Sequence, residues 1–324
     1  MKAVLRTKYG SPEALTVGTA PKPELKEDEL LVRVRATTVN RTDCGILRGE
    51  PFPIRLFTGL LKPRSPVPGT DFAGVVEAVG PQVSDFKIGD RVWGFNDEGM
   101  ASQAEYLTIR QRKGVVKIPN GIGYEEVVSC AEGAHNAYNF INKVTIDPRA
   151  RVLVNGATGA IGSAAVQLLK YYGAHVTAVS NTPNIDLVKS LRADEVIDYQ
   201  RVDFTKTDGQ YQLILDAVGK STFAKCRHLL APQGVYISSE LGPNAQNVYL
   251  PLITKLTGGQ RVIFPVPSNI RKSLNLMNRL LTEGAFRPVI DRRYPMSAIK
   301  EAYHYVERGE KTGNVIVTYH HEKA

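Results

Sequence analysis

Cysteine is scarce in this chain of 324 residues: Cys44, Cys130 and Cys226 lie far apart and form no Cys-x-x-Cys pair. That spacing excludes a disulfide framework and a cysteine-rich metal site, and leaves reduced thiols as the expectation. Long apolar runs are missing as well, so no segment is suited to spanning a bilayer. The opening MKAVLRTKYG lacks the apolar stretch of a signal peptide, which makes a cytoplasmic location the default expectation. There is no repeat array and no low-complexity tract. The formal net charge is +9, yet no basic arm accounts for it: Lys and Arg are scattered among acids. The excess reads as a solvated basic surface able to attract an anionic ligand, and neither a membrane nor nucleic acid is expected as a partner.

What remains is an ordinary globular composition, with 43% hydrophobic and 23% charged residues, in a chain long enough for two domains. Its most informative stretch is residues 151–173, RVLVNGATGAIGSAAVQLLKYYG. Val152, Leu153 and Val154 predict a buried strand; Gly156, Gly159 and Gly162 turn it into a helix carrying Ala164, Ala165, Leu168 and Leu169. The first glycine permits the tight turn, the second lets the backbone approach a pyrophosphate, and the third lets helix and strand pack closely. Free N–H groups at the helix start, with the macrodipole behind them, favour phosphate. The spacing is Gly-x-x-Gly-x-x-Gly, wider than the usual fingerprint, and residues 174–180 (AHVTAVS) supply the second strand of a βαβ unit. Gly156, Ala157, Thr158, Gly159, Ala160, Ile161 and Gly162 are therefore expected to bind a dinucleotide.

Short β-like runs at 2–5, 29–36, 72–79 and 91–95, punctuated by Gly and Pro, predict a β-rich domain over 1–122. From 123 to 265 strands alternate with helical stretches, which implies a doubly wound parallel sheet covered on both faces. Residues 266–324 are expected to return to the first domain, with 314–318 completing its sheet. Ligands bind outside the carboxyl ends of strands in such a sheet, so Ser180, Asn181, Thr182, Tyr199, Val218 and Gly219 should face one crevice. At the end of the second strand an NAD-preferring site usually carries an acid. Here the chain reads Ser180-Asn181-Thr182, so NADPH is the expected cofactor, with neutralisation left to Lys189 or Arg201. Tyr199 either contacts the adenosine ribose or simply ends its strand exposed.

Taken together, Val39-Asn40-Arg41-Thr42-Asp43, residues 68–76 (PGTDFAGVV), 89–94 (GDRVWG), 156–170 and 193–199 (ADEVIDY) resemble the medium-chain dehydrogenase/reductase superfamily, in its zinc-free quinone oxidoreductase branch. The resemblance runs end to end. It implies an α/β protein with a GroES-like β-rich catalytic domain drawn from both chain ends, a Rossmann domain between them, and an active-site cleft at their junction. Where family members use Ser and Gly, the glycine turn carries Thr158 and Ala160. Zinc-dependent members use a Cys in the segment matching Asn40 and a His-Glu pair in the segment matching Thr70-Asp71, so no metal is expected here. His135, His320 and His321 read as structural or solvated.

Without a Lewis acid the acceptor must already be activated, which points to hydride transfer to a quinone or to an enone or enal. Asn40 is the first catalytic candidate, bonding either a developing oxyanion or the nicotinamide ribose, unless it is only a turn residue. Asp43 is the second, as an orienting group. Phe52, Phe57, Leu60 and Leu61 form either a lid over an apolar substrate or a surface loop. By resemblance, Phe264 and Val266 are cofactor contacts, and a homodimer through the edge strand near 261–266 is implied. A competing expectation is a redox-sensing or structural protein that binds NADPH with little turnover, because no general acid is identifiable.

Overall fold

Two regions of the chain give two different sheets. The computed structural model describes residues 1–96 and 101–319, which divide into two compact units. Of the described residues, one comprises 1–96, 101–132, 270–282 and 288–319; the other comprises 133–269 and 283–287. The first unit thus extends past residue 122, because the short helix Tyr124–Val128 packs on the strands Glu29–Val39 and Asp71–Val79 and buries Val127 and Val128 there. The helical stretch beginning at Tyr124 is interrupted: after Val128 the chain turns and starts a second helix, Glu132–Ile141.

In the first unit the strands Ile290–Pro295, Asn314–Thr318, Glu29–Val39, Asp71–Val79, Arg91–Phe95 and Val115–Lys117 are neighbours in that order, with Tyr106–Arg110 also pairing with Glu29–Val39. Asn314–Thr318 pairs antiparallel with Glu29–Val39, in the register Val315 to Val39, so the end of the chain does complete the first sheet. Its buried Val315 and Val317 meet Val39, Leu47 and the helix Ile299–Glu307 in one core. The helix Ile270–Thr282 also belongs to this unit. It buries Ser273, Leu274, Met277, Leu280 and Leu281, the spacing of one helical face, and its Asn278 Oδ1 accepts the indole N–H of fully buried Trp93 at 2.9 Å.

The second unit holds a six-stranded sheet, all parallel, in the order Glu195–Asp198, His175–Ser180, Arg151–Asn155, Tyr211–Asp216, Leu230–Ser238, Arg261–Ile263. Chain order reverses between Arg151–Asn155 and Tyr211–Asp216, and this is the switch point of a doubly wound fold. Val152, Leu153, Val154, Leu213, Ile214 and Leu215 are wholly buried, as central parallel strands covered on both faces require. No helix among the described residues is long and apolar enough to cross a membrane.

Candidate active site

At the switch point the chain leaves the strand Arg151–Asn155 through Gly156, whose φ is +79°, a left-handed value that an L side chain rarely adopts. A Cβ on Gly156 would also lie 2.4 Å from the Val218 side chain, so the glycine turn and the end of the fourth strand are in contact. Gly162 is held for a different reason: a Cβ there would meet the Gly156 carbonyl oxygen at 2.1 Å. Gly159, which precedes the helix Ala160–Tyr171, has extended geometry and nothing nearer to its missing Cβ than the Gly156 oxygen at 3.8 Å. The first and third glycines are demanded by the fold, whereas the second leaves open space at a helix N-terminus. This is the cradle that a pyrophosphate approaching the backbone needs. The extra methyl of Ala160 is accommodated by Gly133, where a Cβ would come within 2.8 Å of it.

Fully buried Asp216 ties its strand to both neighbouring strands. Its carboxylate accepts Asn155 Nδ2 at 2.9 Å, the Ser221 N–H at 2.9 Å and the Tyr236 hydroxyl at 3.1 Å. Burial and the neighbouring Asp216 charge hold the Tyr236 phenol far above its ordinary value, so it stays a donor. Ala157 N–H donates to the Val179 carbonyl, which joins the turn to the second strand, and Tyr199 N–H donates to the Ser180 carbonyl at 3.0 Å. Gly156 to Gly162, Ser180 to Thr182, Tyr199 and Val218-Gly219 therefore share the carboxyl edge of one sheet. Phe264 and Val266 follow the edge strand Arg261–Ile263, three strands from the glycine turn, on the other half of the sheet. Nearby Ser268 donates its N–H to Asn139 Oδ1 on the helix Glu132–Ile141. His135 on that helix is buried, and burial lowers its pKa to about 4. His320 and His321 lie outside the described residues.

The turn after the second strand is not as free of acid as its own sequence implies. Asp198, at the end of the neighbouring strand, accepts the Thr182 hydroxyl and the Gln200 N–H, with Arg201 Nε 3.5 Å from its carboxylate. Thr182 Oγ1 is thus already engaged, while the Arg201 side chain stands 76% exposed beside it.

In the first unit Asn40 ends the strand Glu29–Val39 and caps the helix Arg41–Arg48; its N–H donates to Asp43 Oδ2 at 2.7 Å. Asp43 is buried and serves that cap. The Asn40 side-chain amide donates to Thr38 Oγ1 at 2.9 Å and to Asp71 Oδ2 at 3.0 Å, while Thr38 Oγ1 donates to the same Asp71 oxygen at 2.7 Å. Thr70 reaches the other Asp71 oxygen at 3.3 Å. Glu132 lies alongside, its Oε1 accepting the Thr42 hydroxyl. Among the described residues Asn40 Oδ1 and Glu132 Oε2 are buried with no hydrogen-bond partner. Burial, with Glu132 close by, raises the Asp71 carboxyl to about 8; burial raises Glu132 too, and burial with Glu132 second raises Asp43 well above the carboxylate range. Lys311 faces Glu132, and burial lowers it to about 8.

Sequence spacing singled out Asn40 and Asp43 but missed Glu132, Lys311 and Asp216, which lie far from their partners along the chain. Among the described residues no group of three or more His, Cys, Asp or Glu side chains is disposed to hold a metal ion. The donor set around Asn40 and Thr70, two neutral oxygen groups and one carboxylate already bonded by hydroxyl and amide donors, does not fit tetrahedral zinc.

Comparison with known proteins agrees with these features. The family described as alcohol dehydrogenase GroES-like domain matches residues 26–138, and that described as zinc-binding dehydrogenase matches 191–317. The chain is 31% identical to the chloroplast envelope quinone oxidoreductase homolog of Arabidopsis thaliana, over 98% of each chain. It is 28% identical to the NADPH-dependent alkenal/one oxidoreductase, chloroplastic, of the same plant, over 98% of this chain and 79% of that one. Its fold matches the structure of the quinone oxidoreductase from Coxiella burnetii with a TM-score of 0.89, at 23% identity over 99% of each chain. The chain belongs to the medium-chain dehydrogenase/reductase superfamily, in its quinone oxidoreductase branch. It is an oxidoreductase that works with a nicotinamide dinucleotide.

Proposed function

We propose that the protein uses NADPH to reduce a quinone or an α,β-unsaturated carbonyl compound without zinc. The observation that carries this reading is that Asn40, Thr70 and Asp71 stand where the resemblance places zinc ligands, and the Asp71 carboxylate is already bonded by Asn40, Thr38 and Thr70. With no Lewis acid to polarise a simple alcohol or aldehyde, the acceptor must delocalise incoming charge itself, as quinones and enones do. Bound at the glycine turn, the nicotinamide dinucleotide supplies the hydride. Gly159 and the first N–H groups of the helix Ala160–Tyr171 hold its phosphates, with Thr158 beside them.

Of the two roles open to Asn40, hydrogen-bond counting supports one. Its amide nitrogen donates toward Thr38 Oγ1 and Asp71 Oδ2, which lie 2.7 Å apart and share one N–H, while Oδ1, an acceptor, has no partner among the described residues. Oδ1 suits a ribose hydroxyl. Asp43 then orients Asn40 from the helix cap. For the 2′-phosphate, Arg201 is the exposed cation beside Thr182, with Ser180, Asn181 and Tyr199 completing that end. Phe264 and Val266 are assigned to the nicotinamide half. A homodimer is part of the same proposal; the unpaired edge strand Arg261–Ile263 and the exposed Leu252, Ile253 and Leu256 of the helix packed against it support this.

The test is NADPH consumption by the purified protein across a panel of quinones, enals and enones. Turnover is expected with at least one class, and its absence across the panel overturns the reading. Asn40→Ala and Arg201→Ala should each raise the KM for NADPH about tenfold, the loss of one charge-assisted or buried hydrogen bond. For Arg201→Ala the KM for NADH should stay unchanged.

A further inference from the structure

Between Pro51 and Pro66 the first unit carries large apolar side chains facing solvent: Phe52 is 62% exposed, Leu56 59%, Phe57 80%, Leu60 53% and Leu61 90%. Single exposed apolar residues need no explanation, but five within ten positions form a patch. The patch is built rather than loose. Ile54 N–H donates to Pro51 O at 2.9 Å, Gly59 N–H to Arg55 O at 2.9 Å and Arg64 N–H to Thr58 O at 2.7 Å. Buried Thr58 is bonded to the Tyr9 hydroxyl at 2.8 Å, and the Arg55 guanidinium lies over the Tyr9 ring, 4.6 Å from its centre. Gly59 has a φ of +122°, and a Cβ there would lie 2.0 Å from the Lys62 carbonyl oxygen, so the bend that turns Phe57, Leu60 and Leu61 outward requires glycine.

Within the projection itself the charge has one sign, with Glu50 standing just before it. From residue 51 to residue 70 the sequence contains no Asp or Glu, while Arg55, Lys62 and Arg64 lie within it. Among the described residues Arg64 is bonded to the Phe57 carbonyl and Arg55 to the Gly49 and Arg48 carbonyls, and neither is in an ion pair with a carboxylate. We infer that this apolar and basic projection docks on an anionic lipid surface, with Phe57, Leu60 and Leu61 entering the headgroup region and Lys62 and Arg64 against the phosphates. A second copy of the chain is the poorer occupant, because a two-fold contact through this face sets its cations against themselves.

The experiment is co-sedimentation of the full chain with vesicles of phosphatidylcholine alone and of phosphatidylcholine containing about one-third phosphatidylglycerol. Binding is expected to the anionic vesicles and should weaken as salt rises. Lys62→Glu with Arg64→Glu should reduce it at least tenfold, on the order of fivefold per cation lost. Phe57→Ser with Leu61→Ser should abolish it; if that pair does not fold, Leu61→Ser alone still should weaken binding severalfold. No binding of the wild-type chain to anionic vesicles at low salt overturns the inference, as does binding that none of these variants changes. A Phe57→Ser, Leu61→Ser chain that turns from dimer to monomer by light scattering, with vesicle binding intact, assigns the face to a second copy instead. One that raises the KM for a short soluble enone, with vesicle binding intact, makes it a lid.

Discussion

Gly159 and Gly162 stand three residues apart in one motif and answer to different constraints. Alanine at Gly162 would place a methyl 2.1 Å from the Gly156 oxygen, so helix and strand must separate. Gly162→Ala should cost about 1–3 kcal/mol of stability and lower the melting temperature, with loss of cofactor binding as a consequence. Gly159→Ala meets nothing inside the protein and has permitted dihedrals, so thermal melting should show a loss of under about 1 kcal/mol, from the poorer helix cap. Titration with NADPH should nevertheless show binding weakened about tenfold or more, because the methyl fills the space the phosphates need. Equal effects of the two substitutions on melting would refute this division of labour. Sequence alone made the motif legible; the structure separates the glycines that packing demands from the one that packing leaves free.

At the scale of elements, four ends converge on the buried acids of the first unit: the end of Glu29–Val39, the start of Arg41–Arg48, the start of Asp71–Val79, and Glu132. A carboxyl whose pKa is raised by folding binds its proton more tightly in the native chain than in the unfolded one. Stability is therefore full below the ordinary carboxyl range and is lost as pH rises through about 8, the value reached by Asp71. Lys311 is protonated in both states over most of that window, its own pKa being about 8 in the folded chain, so it opposes the slope little. Denaturant unfolding between pH 5 and pH 8 should lose about 1.4 kcal/mol per pH unit for each carboxyl that keeps its extra proton. Glu132→Gln removes the charge that, after burial, does most to raise Asp71, so the slope should flatten; an unchanged slope would exclude Glu132 as a contributor. Asn40, Asp43 and Asp71 are readable as local motifs. Glu132 is not, because it lies 61 residues from Asp71 and only the turn between the helices Tyr124–Val128 and Glu132–Ile141 delivers it.

At the scale of the whole molecule, the outer face of the helix Gln246–Thr257 bears exposed Tyr249, Leu252, Ile253 and Leu256 and packs against an edge strand whose outer side is unpaired. Unpaired edges invite pairing, and light scattering should show a dimer at micromolar concentration. Leu252→Asp with Leu256→Asp should shift it to monomer while preserving the melting temperature of the dilute protein; a monomeric wild-type chain would remove the proposal. The β-rich first region, the βαβ unit and the return of residues 314–318 follow from patterns with periods of two and 3.6 residues, and these are local properties of a sequence. The glycine turn and the absence of zinc-type side chains at Asn40 and Thr70 are likewise fixed by residue identity. Tertiary structure alone decided that Asp198 takes the Thr182 hydroxyl, that Asp216 gathers Asn155, Ser221 and Tyr236, that Asn40 Oδ1 is buried without a partner among the described residues, and that Phe57 and Leu61 face outward. Each of these depends on which distant groups share a buried space or an edge, and hydrogen-bond saturation and burial are properties of such neighbours, which spacing along the chain does not specify.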